Sequence, residues 1–161
     1  MRVWYLASLL LLAGPAALFA QSGSGEGRYG TRTFASETTE LPDGRTLTTN
    51  HFHQVTFADD PSHVMNDLIG DCVGQFLASP DGNPLGANGI CFNKDIDGDG
   101  VSWWWRQEAS GTADCPHICG VFGFLDGSGK FDGITGEGTW RVTAPFDLGG
   151  VGAWQISYSI P

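Results

Sequence analysis

From residue 153 to the end, the chain alternates without a break. Trp154, Ile156, Tyr158 and Ile160 interleave with Ala153, Gln155, Ser157 and Ser159. Successive side chains of an extended chain point to opposite faces, so a period of two means a strand with one apolar face to bury. The same signal recurs upstream. Residues 137–143 alternate through Trp140 and Val142, and residues 119–125 form an apolar run with glycines. Residues 101–107 carry three consecutive tryptophans. Residues 71–78 and 86–93 flank a SPDGNP turn, and residues 28–39 and 45–57 flank LPDG. Turn dipeptides separate nearly every pair: PDG at 42–44 and 80–82, DGDG at 97–100, DGSG at 126–129. About eight strands at hairpin spacing, with no crossover helices, predict an all-β fold. An antiparallel barrel is favoured, because closure removes the sheet edges, and a β-sandwich is the alternative. A helix is signalled only at residues 62–69, with Ser62 as N-cap and Val64, Met65, Leu68 and Ile69 as its apolar side. It is too short to carry a fold.

The first twenty residues read as an address. Arg2 precedes an apolar stretch centred on four leucines, and small residues lead to Ala20. That is a secretory signal peptide, with cleavage expected after Ala20 and a periplasmic or extracellular destination. Residues 21–27, QSGSGEG, offer nothing apolar to bury and predict a flexible lead-in. Residues 28–161 then form a single domain, with no membrane span once the signal is removed. Of the 161 residues and net charge of −10, the signal takes one positive charge. Such acidity argues against nucleic acid, whose phosphates need a basic footprint. A neutral ligand or a cation is easier to accommodate.

Four cysteines, Cys72, Cys91, Cys115 and Cys119, read as disulfides in an exported chain. Of the three possible connectivities, Cys72–Cys91 and Cys115–Cys119 are preferred. The first pair sits in neighbouring strands joined by one turn. The second needs a turn, because four extended residue steps exceed bridging distance.

Two stretches carry a resemblance. One runs from Cys72 to Trp105: a DCVG strand, a PDG turn, a GxC strand, DIDGDG and the tryptophan-rich strand. The other is GSGKFDGITGEGTW, from Gly127 to Trp140. Together they resemble a group of uncharacterised bacterial exported proteins with barrels like those of allene oxide cyclases and dirigent proteins. The resemblance spans residues 45–143, with the segment around Cys115 to Cys119 as an insertion. It implies an eight-stranded antiparallel barrel. Plant allene oxide cyclases isomerise an unsaturated fatty-acid epoxide inside such a barrel, but their catalytic positions have no residue-level match here. One barrel hosts many functions.

Three constellations could carry chemistry. Asp95, Asp97 and Asp99 in DIDGDG stand at alternate positions, as in the opening of a calcium loop. Arg106 occupies the place of the bidentate glutamate, so a plain hairpin turn is the leading expectation and a Ca²⁺ site the lesser one. Cys115 and Cys119 with His117 could ligate zinc or copper, although a local disulfide is the better fit. Trp103 and Trp105 share one strand face and Trp104 takes the other. Trp103, Trp105 and Trp140 are therefore the candidate ligand-binding residues, expected at a small, mostly apolar pocket in one mouth of the barrel. His51 and His53 share a strand face and read as surface or barrel-lining residues. No hydrolase, zinc-protease or phosphate-loop motif is present. Three functions compete: a non-enzymatic module binding a small hydrophobic ligand or partner, a cyclase or isomerase acting on a hydrophobic substrate, and a structural envelope protein. The first is preferred. Neither the oligomeric state nor a required cofactor is indicated.

Overall fold

In β8 (Gly149–Ile160) the alternation becomes a division between inside and outside. Trp154, Ile156, Tyr158 and Ile160 are all buried, while Gln155 and Ser157 face solvent. This is a computed structural model, describing residues 20–108, 115 and 117–161. Apart from Ala20, the expected signal peptide lies outside the described residues. Seven further strands precede β8: β1 (Gln21–Glu40), β2 (Thr46–Ala58), β3 (Leu68–Ala78), β4 (Pro84–Lys94), β5 (Gly100–Gln107), β6 (Cys119–Gly127) and β7 (Thr135–Phe146). Each pairs antiparallel with the next, and β8 pairs back onto β1. The result is a closed eight-stranded barrel, the fold expected from the sequence. Closure rules out the sandwich alternative.

The closing ladder corrects the reading of residues 21–27. They are the first third of β1, paired from Gln21 opposite Ile160 to Gly27 opposite Trp154. The physical reason lies on β8 and the loop beside it. The rings of Tyr158, His63 and Trp154 lie against Gly23, Gly25 and Gly27. A Cβ at any of the three would overlap those rings. The glycines are a smooth platform for aromatics rather than a linker.

Up-and-down order puts the β1–β2, β3–β4, β5–β6 and β7–β8 connections at one end and the other three at the opposite end. The hairpin turns follow their sequence signals. Gly44 and Gly82 adopt φ of 81° and 79°, the left-handed region that the third residue of each PDG turn requires. At the opposite end, the segment between β2 and β3 is a run of turns, which corrects the helix expected over 62–69. Asp60 Oδ1 accepts from both the Ser62 backbone N–H and the Ser62 hydroxyl, at 2.8 and 2.7 Å. Asn66 Oδ1 accepts the Ala58 N–H at 3.0 Å. Local side-chain acceptors outcompete a helix too short to propagate. Asp67, at φ 53°, then turns the chain into β3. This segment drives Met65 and the start of β3 drives Leu68 into the barrel, 2% and 1% exposed. Phe131, fully buried on the short 3-10 turn Gly129–Phe131, and Ile134 complete the floor. The barrel is thus plugged at one end.

Candidate functional site

Among the described residues the other end carries no such plug. Above the floor lies a chamber of about 460 Å³ that extends to the β7–β8 turn. Its size falls within the roughly 300–1,000 Å³ of ordinary small-molecule sites. Two unlike walls enclose it, and each is an inward-facing set of alternate strand positions.

The first wall is aromatic. Trp103 and Trp105 point inward from β5, 4% and 7% exposed, and Phe122 and Trp140 join them from β6 and β7. Trp105 meets Trp140 edge-on at 5.8 Å between ring centroids. It also packs against Phe76 at 5.9 Å and Phe52 at 6.2 Å. Its ring has room because it lies over Gly74 and Gly89. Trp103 packs on Phe122 at 6.4 Å. The Trp140 Nε1–H donates to the Val121 carbonyl at 3.2 Å, while that of Trp105 is buried without an acceptor. Trp104 points outward, covers Gly123 and is capped by the Arg106 guanidinium at 5.8 Å. Trp103, Trp105 and Trp140 therefore line the chamber, and Trp104 does not.

The second wall, on β1 and β2, is polar but uncharged. Tyr29, Thr31, Thr33 and Ser36 alternate along β1, and Asn50, Gln54 and Thr56 along β2. Several are already paired. Thr31 Oγ1 donates to the Gly150 carbonyl at 3.3 Å, Thr56 Oγ1 to the Met65 carbonyl at 3.3 Å, and Ser36 Oγ to Asn50 Oδ1 at 2.7 Å. Gln54 Oε1 lies 3.3 Å from Cys72 Sγ, but that sulfur sits in a disulfide and has no proton to donate. Of the lining residues, only Tyr29 and Asp147 ionise, and Asp147 stands on the exposed β7–β8 turn at the mouth. Burial pushes the Tyr29 phenol far above its ordinary range, so it stays neutral. A chamber with no fixed charge in its depth suits a neutral occupant, because a buried unpaired charge is costly.

Composition and motifs did not point to this polar wall. Alternation in the stretch after Arg28 shows that Tyr29, Thr31 and Thr33 share a face. Which face points inward is settled only when β8 closes on β1. Met65, in the floor, was read as part of a helix.

The cysteines pair as expected. Cys72–Cys91 bridges directly opposed residues of β3 and β4 inside the barrel, and Cys115–Cys119 closes a local loop. With both thiols of the second pair consumed, the zinc or copper alternative loses its ligands, and His117 is exposed. Among the described residues there is no free cysteine and no helix long and apolar enough to cross a membrane. The disulfides fit an oxidising compartment.

In the aspartate loop the carboxylates of Asp95 and Asp99 are engaged by the protein itself. Asp95 Oδ1 accepts the backbone N–H groups of Asp97 and Asp99, each at 2.9 Å. Its Oδ2 pairs with the Lys130 ammonium at 2.7 Å. Asp99 Oδ2 accepts the Lys130 N–H at 3.1 Å. The cation that relieves this carboxylate cluster is a lysine, delivered by the β6–β7 connection. Hydrogen bonding to Lys130 holds the Asp95 carboxyl below its ordinary range. Among the described residues, no three His, Cys, Asp or Glu side chains come together as a metal cage. The loop is a hairpin turn, the leading expectation for it, strapped by Lys130 at the floor. His51 and His53 lie on the outer surface, where His53 Nδ1 meets Asp71 Oδ1 at 2.6 Å and stacks on Phe34.

No family model and no curated protein matches the chain. Solved structures do. The pterocarpan synthase dirigent protein GePTS1 superposes with a TM-score of 0.52 at 10% identity, over 91% of this chain and 88% of its own. A second pterocarpan synthase dirigent protein, PsPTS1, superposes with a TM-score of 0.53 at 11% identity, over 87% and 95%. At such identity the likeness is one of architecture, and the chain has the closed-barrel fold of the dirigent proteins.

Proposed function

We propose that this is an exported binding module that holds a small, neutral, hydrophobic ligand inside its barrel. One observation carries the reading: a chamber of about 460 Å³ walled by Trp103, Trp105, Phe122 and Trp140 and, among the described residues, lacking charge in its depth. Apolar burial against such walls supplies roughly 25 cal/mol per Å², and the neutral polar wall adds orientation. A structural envelope role would call for a barrel filled with side chains, and the chamber supports it less.

A second reading is a cyclase-type enzyme that fixes a flexible substrate in a productive shape. It is favoured by the fold neighbours, which are pterocarpan synthase dirigent proteins. The same chamber serves both readings. Titration of small hydrophobes while following tryptophan emission is the direct test. Trp103, Trp105 and Trp140 line the site, so occupancy should quench or shift the emission. Trp140→Ala should weaken both the response and the affinity. Constant emission across a chemically varied panel, with no binding by calorimetry, would remove the binding reading. Conversion of a bound compound, seen by mass spectrometry, would move the assignment to the enzyme.

A further inference from the structure

The hydroxyls of Tyr29 and Thr33 lack a partner among the described residues, and Tyr29 is the more deeply buried of the two. The side chain is 9% exposed and lines the chamber. Its ring lies against Gly152, where a Cβ would overlap it. The phenol is thereby held in one place between β8 and the chamber. Its oxygen has no hydrogen-bond partner among the described residues. Neighbouring hydroxyls are committed to the fold: Thr31 to Gly150, and Thr56 to Met65. The indole N–H of Trp105 is also unpaired, but it is sealed from the chamber as well as from solvent. The Tyr29 hydroxyl is not sealed in this way, so it is open to the chamber that the side chain lines. Diagonally across the β1–β2 ladder stands Gln54, whose carboxamide also faces the chamber, because Tyr29 is opposite Thr56 and Thr31 opposite Gln54.

We infer that Tyr29 is a specificity-determining residue whose phenol O–H donates to an acceptor oxygen of a neutral, ring-bearing ligand. The ligand's flat apolar part lies against Trp103, Phe122 and Trp140, and a carbonyl or ether oxygen meets the β1 wall. Phenol and ligand are both uncharged, so the bond forms without desolvating an ion. This inference rests on the ligand-binding reading and adds the chemical class of the ligand to it.

The experiment compares two flat tricyclic probes of nearly the same shape, fluorenone with its ketone and fluorene without it. Calorimetric titration is made on the wild-type protein and on Tyr29→Phe, which removes one oxygen and keeps the ring. The wild type should prefer fluorenone by about fivefold to tenfold, the size of one well-made neutral hydrogen bond. Tyr29→Phe should abolish the preference and leave fluorene affinity unchanged. The ketone stretch of bound fluorenone should move to lower frequency in the wild type and not in the variant. Because the hydroxyl holds nothing together, Tyr29→Phe should melt no lower than the wild type; a clear loss of stability would mark a structural role and overturn the inference. Equal binding of both probes to the wild type would overturn the role of Tyr29 while leaving the chamber a ligand site. Failure of both probes, together with silence across the hydrophobe panel, would remove the chamber reading itself.

Discussion

His63 shows how much one side chain can couple. Its Nδ1 accepts the Met65 backbone N–H at 3.1 Å, which fixes the residue that floors the chamber. Its Nε2 is buried without a partner. The ring packs between Trp154 and Tyr158, at 5.7 and 5.3 Å, above Gly25. Burial holds its pKa below the ordinary 6.5, with the Asp60 carboxylate pulling the other way. The sign follows from linkage. Below about pH 6.5 the unfolded chain takes the proton more readily than the folded one, so stability falls as pH drops from there toward the folded value. Protonation also removes the acceptor that holds Met65. Urea denaturation at pH 7.5 and pH 5 should therefore show a larger loss for the wild type than for His63→Gln. Equal losses would show that His63 contributes nothing to the pH dependence. The sequence around His63 offered no hint of this, because its environment is made by β1 and β8 from opposite ends of the chain.

At the scale of elements, β3 and β4 illustrate agreement between local signals and their use. A PDG turn, period-two alternation and two cysteines place Cys72 opposite Cys91. The bridge closes a loop with a sequence separation of 19, and constraining such a loop in the unfolded chain contributes about 3 kcal/mol. Replacing both residues with alanine should lower the unfolding free energy by about that amount, measured by denaturant titration under oxidising conditions. A loss under 1 kcal/mol would mean the ladder already sets the hairpin without it. The DIDGDG turn shows the opposite case. Its residues alone suit either a cation loop or a hairpin. Lys130, 35 positions after Asp95, pairs with it across the turn, and its arrival depends on how β6 and β7 pack.

At the scale of the molecule, the barrel depends on the ladder between its first and last strands. Gln21 to Gly27 cover the floor half of β8, the part that carries Trp154, Ile156, Tyr158 and Ile160. Without them, β8 would present an unpaired apolar edge, a template for aggregation. A chain beginning at Arg28 should therefore lose amide protection along β8 and elute as oligomers in size-exclusion chromatography. A monomer with native protection would restore residues 21–27 to the status of a flexible lead-in.

Alternation and turn dipeptides were enough to predict strands, hairpins, an all-antiparallel order and the pairing of Cys72 with Cys91. Each of these is local in sequence, resting on a period of two or a four-residue turn. Ring closure, the platform role of Gly23, Gly25 and Gly27, and the plug built around Met65 and Phe131 were decided only in three dimensions. So was the chamber, because its volume is what remains after eight strands meet. Its polar wall arose the same way: Tyr29 and Gln54 became lining residues only when β8 paired with β1 and fixed which face of the sheet was inside.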